Sequence, residues 1–557
     1  MVANRYLQNS RGTQMKSSRV MSALLSATAL TLVAGSYAAA KPVEKTTTPI
    51  KHVVVIFQEN VSFDHYFGTY PHAANPIGEP AFRAAKGTPT DIDTVEHAGL
   101  LTNNPNLNPL NGAGAANPFR LDLTQVATAD QGHSYTPEQQ AEDNGAADLF
   151  PLYTGNGTAG GAGAFGTKGQ VMGYFDGNTI TAFWNYAQHF AMSDSARTDA
   201  YGPSTPGALE VISGQTNGLN IVLNTGHSTS FFVDDGQGGD TLINDVDPAN
   251  DICSSTSTTG LMTGKNVGDL LNAAHITWGG FMGGFNLSTK NANGSTNCAR
   301  STTSTYTNVT ESDYIPHHAW FQYYASTANP THARPTSVAS IGHTYVPGTK
   351  TLDPANHQYD INDFYAAIQA GNFPAVSYVK APAFADGHAG YSDPADEQYF
   401  VVQVVNFLQQ HNHWKDTAVI ITYDDSDGWY DHSYATPTSA SYTSADQLNG
   451  AATCGTGTQL NGLKGLPVNG RCGPGVRVPF LVISKYAKKN YVSHTPITQA
   501  SVVKFIEDNW LSGARLGGGS FDDSTGSVMD MFDFKAPQAS ELYLDPKTGR
   551  KTASVKQ

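Results

Sequence analysis

Glu59, Asn60, Ser204, Asp424 and Asp425 have the side-chain types and the settings that chemistry requires. Glu59-Asn60 closes the apolar run Val53-Val54-Val55-Ile56-Phe57-Gln58, and Asp424-Asp425 closes Ile420-Ile421-Thr422-Tyr423. Ser204 sits in the tight-turn sequence Gly202-Pro203-Ser204-Thr205-Pro206-Gly207. Carboxylates and an amide carbonyl are hard oxygen donors suited to a divalent cation. Crowded carboxylates repel one another unless a cation joins them. A serine is a weak nucleophile at neutral pH, and contact with a cation lowers its hydroxyl pKa. His133, the pair His317-His318, and His388 complete the set. A charged imidazole can hold phosphoryl oxygens, and either protonation state can serve proton transfer. Together these groups describe phosphoryl transfer: in-line attack by Ser204, departure of an alcohol, then hydrolysis of a phosphoserine by water. Each piece alone has a plainer reading. Asp424-Asp425 could be a turn, Ser204 an N-cap, and the histidines surface or loop residues. Their joint occurrence favours chemistry.

The elements that must position these groups are legible in part. Val53–Gln58, Ala375–Val379, Thr417–Tyr423 and Val478–Ser484 are short, β-branched, apolar runs, which reads as buried strands. In such a sheet, ligands lie outside the carboxyl ends of the strands, where Glu59-Asn60 and Asp424-Asp425 stand. Residues 171–192 and 397–408 carry apolar positions at helical spacing, and Thr495-Pro496 opens a helix expected to reach Trp510. Ser204 is expected as an N-cap with Pro206 in the first turn, so that the helix N-terminus offers amides to an anion. Strands alternating with helices imply an α/β fold with a mixed or parallel sheet covered on both faces. Residues 226–315 and 434–472 are polar and Gly-rich and are expected as insertions, and the weakly patterned stretch 516–557 as a C-terminal tail. The Asp234, Asp235, Asp240, Asp245, Asp247 cluster fits no EF-hand spacing and is expected as a solvated acidic loop. Gly155–Gly169 lacks the Lys-Ser/Thr ending of a phosphate-binding P-loop and is expected as a plain loop.

Composition bounds the remainder. At 557 residues the chain can bury a large core, and a formal net charge of -15 argues against a nucleic-acid partner. Met15-Lys16-Ser17-Ser18-Arg19, an apolar run from Ala23 to Val33 and Ala38-Ala39-Ala40 read as an export signal over residues 1–40. A periplasmic or secreted protein without a membrane span in its mature chain, residues 41–557, is expected. Cys253, Cys298, Cys454 and Cys472 form no CxxC pair, and pairing of sequence neighbours is expected.

The chain resembles the bacterial phosphoesterase family that contains phospholipases C and metal-dependent acid phosphatases. The resemblance is carried by Glu59-Asn60-Val61-Ser62-Phe63-Asp64-His65-Tyr66-Phe67-Gly68, by the Ser204 turn, and by Tyr423-Asp424-Asp425-Ser426-Asp427-Gly428-Trp429-Tyr430-Asp431-His432. It implies an alkaline-phosphatase-like α/β catalytic domain over residues 41–515. It also implies one divalent ion held by Glu59, Asn60, Asp424 and Asp425, with Ser204 touching it as nucleophile. His133, His317, His318 and His388 match active-site histidines by motif and order. Hardness of the donors suits Ca²⁺, Mg²⁺ or Mn²⁺, with Fe and Zn not excluded. Ser204 followed by Pro206-Gly207, and Asp424-Asp425 rather than Asp-Glu, resemble the phosphatase branch. The expected activity is phosphomonoester hydrolysis. The alternatives are a phospholipase C and, in another class, a secreted non-catalytic binding protein.

Overall fold

The computed structural model describes residues 45–226, 228–538 and 541–553. The export-signal expectation for residues 1–40 falls outside them. An eight-stranded sheet forms the centre. Its strands are β1 (His52–Gln58), β2 (Ala191–Ser193), β3 (Trp278–Met282), β4 (Gln358–Asp360), β5 (Val376–Lys380), β6 (Thr417–Tyr423), β7 (Phe480–Ser484) and β8 (Tyr491–Ser493). Their spatial order is β4-β3-β5-β1-β6-β7-β2-β8. β4, β3, β5, β1 and β6 run parallel, and β7 is antiparallel to both neighbours. Val53 to Phe57 and Ala418 to Ile421 are fully buried, because a sheet covered on both faces has no solvent side for alternate residues.

The expected α/β class is what the chain adopts, with differences in detail. β3 lies within residues 226–315, so that stretch is not wholly an insertion: Trp278-Gly279-Gly280-Phe281-Met282 is a core strand between β4 and β5. Strands between residues 232 and 262 join Asn217–Asn224 in a second, five-stranded sheet, and Ser301–Thr303 pairs with Thr310–Ser312 in a separate two-stranded one. The stretch 516–557 also joins the core. Leu542 and Leu544 are buried in the main cluster, and their backbones pair with the side chains of Gln409 and Asn406.

Among the helices, α1 (Thr181–His189), α2 (Ser204–Ser213), α3 (Pro394–Gln409) and α4 (Ala500–Trp510) cover the sheet. α4 starts five residues after Thr495, because Ile497–Thr498 first pairs as a short parallel strand with Ala196–Arg197. Both disulfides join sequence neighbours as expected, Cys253–Cys298 and Cys454–Cys472. The second holds residues 434–472 against a buried cluster containing Tyr135, Tyr201 and Ile243.

Candidate active site

Strand register brings the two acidic motifs together. β1 and β6 pair residue for residue from His52↔Thr417 to Gln58↔Tyr423, so Glu59-Asn60 and Asp424-Asp425 leave the sheet side by side. The strand ends are laced by backbone bonds: Asp424 N donates to Gln58 O at 3.2 Å and Val61 N to Asp425 O at 3.0 Å. Asn60 takes a positive φ of 54°, which Asn tolerates, and its N–H donates to Asp424 Oδ1 at 3.0 Å. β5, on the other side of β1, ends in Lys380, and the loop after it carries Asp386 and His388.

α2 delivers Ser204. Gly202 has a φ of +130°, which turns the chain into the helix. Gly207 lets that helix lie against the β6 end, since a Cβ there would fall 2.1 Å from Asp424 O. Ser204 is the first helical residue and Pro203 the cap, so the Ser204 side chain is free of the capping role expected of it. Its Oγ donates toward Glu59 Oε2 at 2.9 Å and Asp425 Oδ2 at 3.3 Å, and lies 3.4 Å from Asn60 Oδ1. The helix terminus differs from expectation in a second way. Thr205 N already donates to Asp245 Oδ1 at 2.8 Å and Pro206 has no N–H, so the first turn offers an incoming anion little beyond Ser204 itself. Asp245 therefore caps α2 rather than lying in a solvated acidic loop. Asp235 of the same cluster is buried and accepts from Asn217 Nδ2 and the amides of Gln237 and Gly239.

The four histidines surround this centre and differ in state. His133 Nδ1 faces Gln131 O at 2.9 Å and Asp427 Oδ1 at 3.1 Å, which turns Nε2 toward Asn60. Burial opposes its charge, but Asp425, Asp427 and Asp130 outweigh burial and raise its pKa well above the usual value. His317 is the most open, its side chain 30% exposed; burial lowers its pKa, but Asp245 and Asp247 raise it overall. His318 Nδ1 lies 3.2 Å from Glu59 Oε1, and burial together with His317 holds it neutral. Burial and His133 push His388 down to about 3. All four line one cleft of about 690 Å³ with Ser204 on its floor. Asp130, Asp245 and Glu311 stand around it, and the Cys253–Cys298 disulfide forms part of its wall.

His388 supplies the test of whether these residues fit a cation. Its Nδ1 lies 2.5 Å from Ala389 O, which can only accept, so the single proton of the neutral ring is on Nδ1. Nε2 is then an acceptor, 3.0 Å from one end of the Asn60 amide. The shorter contact puts the NH₂ group at that end, although the charged His133 ring also aims Nε2 at it from 3.4 Å. The Asn60 oxygen then points at Glu59 Oε2 (2.7 Å) and Asp424 Oδ1 (3.0 Å), acceptor against acceptor. Rotating the amide would relieve this contact and suit His133, but would set its oxygen 3.0 Å from an imidazole nitrogen without a proton. A cation among the oxygens relieves the acceptor contacts with the amide in place. Burial points the same way. Burial and then Asp424 raise Asp425 well above the ordinary carboxylate range; burial also raises Asp424, against the pull of Lys380. Glu59, Asn60, Asp424, Asp425 and Ser204 are each at most 1% exposed. A hard-oxygen set of this kind fits a divalent ion.

Residues 50–511 match the Phosphoesterase family. The chain belongs to that family. Among curated relatives, the phosphoesterase is 22% identical to the hemolytic phospholipase C of Pseudomonas aeruginosa, over 83% of this chain and 53% of the relative. It is 22% identical to phospholipase C B of Mycobacterium tuberculosis, over 88% of this chain and 79% of the relative. The chain spans about half the length of the Pseudomonas relatives it matches. Among solved structures it is similar to a Vibrio parahaemolyticus protein of the alkaline phosphatase superfamily, with 11% identity, 74% and 75% coverage, and a TM-score of 0.27. That likeness is too slight to build on.

Every residue expected in the phosphoesterase site is brought to one place: Glu59, Asn60, Ser204, Asp424, Asp425, His133, His317, His318 and His388. Three neighbours of this centre escaped the sequence. Lys380, 1% exposed, is ion-paired to Glu59 Oε1. Asp386 accepts from Tyr391 OH and lies 4.0 Å from His318 Nδ1. Burial pushes its pKa up to about 8 against the pull of Lys380. Asp427, whose carboxyl burial pushes up to about 7 against His133, aligns the His133 ring. Lys380 carried the same signal as Glu59, a polar residue ending an apolar run, one position beyond the strand expected to stop at Val379.

Proposed function

We propose that this phosphoesterase hydrolyses phosphate monoesters with one divalent ion and a phosphoserine at Ser204. The observation that carries this reading is Ser204 Oγ on the cleft floor, within hydrogen-bond reach of Glu59 and Asp425 and beside the Asn60 oxygen. Glu59, Asn60, Asp424 and Asp425 would hold the ion. When bound, the ion lowers the serine pKa and offsets negative charge on the phosphoryl group. Ser204 Oγ attacks phosphorus as the bond to the leaving oxygen breaks. The serine proton passes to the carboxylates that already accept it. His133, held charged with Nε2 toward the site, gives its proton to the departing alkoxide. Neutral His133 then takes a proton from water as that water attacks the phosphoserine, and the proton held on the carboxylate returns to Ser204 Oγ as the bond from serine to phosphorus breaks, restoring the hydroxyl and the charged ring. His317, partly open to the cleft, faces the phosphoryl oxygens. His318 and His388 act by fixing Glu59 and Asn60.

The choice of monoester rests on the cleft wall. Apart from Ile315, prolines, two tyrosines and the disulfide, its lining is polar or acidic, which suits a small polar alcohol better than two acyl chains. The phospholipase names of the relatives favour a second reading, cleavage of a phospholipid diester. A panel of aryl, sugar and nucleotide phosphates beside phosphatidylcholine, with defined metals and Ser204→Ala as blank, separates them. Turnover confined to phosphatidylcholine would overturn the monoester assignment, and turnover of nothing in the panel would favour a non-catalytic binding protein. Export to the periplasm or beyond, by a leader over residues 1–40, belongs to the proposal; the two disulfides support it. Among the described residues no helix is long and apolar enough to cross a membrane. The charge of -15 leaves nucleic acid outside the proposed partners.

A further inference from the structure

Glu59 faces two ways. Its Oε2 lies with Ser204 and Asn60, while its Oε1 accepts from Lys380 Nζ and lies 3.2 Å from His318 Nδ1. A carboxylate with one oxygen in each of two cation-binding places is the bridge that two-metal centres use, with ions roughly 3.5–4 Å apart. The second place has a ligand set of its own. Ligand atoms of Glu59, His318 and Asp386 lie within 4.8 Å of one another, and all three residues are buried. His318 can offer Nδ1 once its proton moves to Nε2. What sits against Glu59 Oε1 is an ammonium group. Lys380 reaches it from the end of β5, stacks its ammonium 5.4 Å from the Phe57 ring centroid, and has 1% of its surface exposed.

We propose that Glu59, His318 and Asp386 form a second divalent-cation site that this chain fills with its own Lys380 ammonium. The inference rests on the single-ion reading of the Ser204 centre and adds what keeps that centre at one ion. Geometry supports it: while the Lys380 ammonium sits against Glu59 Oε1, a second divalent ion at that oxygen would meet a buried cation at contact distance, which a low-dielectric interior does not tolerate. Removing the ammonium leaves Glu59 Oε1, Asp386 and His318, whose ligand atoms lie within 4.8 Å of one another, without the cation that joined them. Hard oxygens with one imidazole suit Mn²⁺, Mg²⁺ or Zn²⁺ there.

The test is metal content after equilibration with Mn²⁺ and removal of free ion, with calorimetric titration alongside. Wild-type protein, Lys380→Met, Asp386→Asn and the double variant are compared, with circular dichroism to establish folding. The expected counts are one ion per chain for wild type, two for Lys380→Met, one for Asp386→Asn and one for the double variant. Two ions in wild type, or one in a folded Lys380→Met, overturns the proposal. Asp386→Asn keeps Lys380 and gives a second route if Lys380→Met does not fold: its single ion should bind with unchanged Kd, and a loss beyond tenfold would make Asp386 a ligand of the resident ion and overturn the assignment. No ion in wild type contradicts instead the single-ion reading of the Ser204 centre, so the two failures are distinguishable.

Discussion

Replacing His133 with Gln should slow turnover in proportion to how badly the leaving group needs a proton. Gln keeps an amide donor near the position of Nε2 but has no proton to give, so binding contacts survive while acid catalysis is lost. General acid help contributes roughly 10²–10⁴-fold. The full effect belongs to alkyl phosphates, whose leaving alkoxide must be protonated; an aryl phosphate with a nitro group leaves without help and should lose about 10-fold or less. The environment argues for the high end. Buried Asp427 at 3.1 Å, Asp425 and Asp130 outweigh burial and raise the His133 pKa well above its usual value, which favours the acid form. Steady-state kcat for a sugar phosphate and for 4-nitrophenyl phosphate, wild type against His133→Gln, gives the ratio directly. Equal losses on both substrates would refute the acid role and make His133 an electrostatic or structural group.

Other consequences are as specific. Gly207→Ala puts a Cβ 2.1 Å from Asp424 O, so α2 or the β6 end must shift; thermal unfolding should show a loss of about 1–3 kcal/mol, and metal affinity should fall with it. Loading the apo protein with metal near neutral pH should release protons, because buried Asp425 beside Asp424 holds one far above the ordinary carboxylate range. Titration in two buffers of different ionisation enthalpy measures that release, and identical heats would contradict it. Far from the metal, burial opposes charge on His432, yet Asp64 and Asp93 raise its pKa to about 10. A pKa raised on folding gives stability that is full below about 6.5 and is lost as pH rises through about 10. The Tm gap between wild type and His432→Gln should therefore be widest at pH 6, narrow steadily from about pH 6.5 and be nearly gone by about pH 10; a constant gap would contradict the pairing.

How much of this was legible before folding follows from what each signal needs. β1 and β6 read cleanly because continuous β-branched runs bounded by polar residues leave few alternatives, and the same edges named Glu59, Asn60, Asp424 and Asp425. β3 was hidden because Gly279 and Gly280 weaken its strand signal and it is embedded in polar, Gly-rich sequence. β4 is only Gln358–Asp360, too short for a periodicity. Ser204 looked like an N-cap by residue type, but one residue of register along the turn makes it the first helical residue and frees its hydroxyl. Lys380, Asp386 and Asp427 come to the centre through strand pairing and loop closure, which no local pattern states. The orientation of the Asn60 amide depends on the His388 proton, and that is visible only when Ala389 O is placed beside Nδ1.

The central claim is a covalent phosphoserine at Ser204, and trapping it is the most direct measurement. Protein mixed with an excess of aryl phosphate, quenched in acid within the first turnover and digested, should carry one phosphoryl group on the peptide containing Ser204. Ser204→Ala should carry none and release no alcohol. A burst of alcohol with no phosphoryl group on any wild-type peptide, or full turnover by folded Ser204→Ala, would contradict the account.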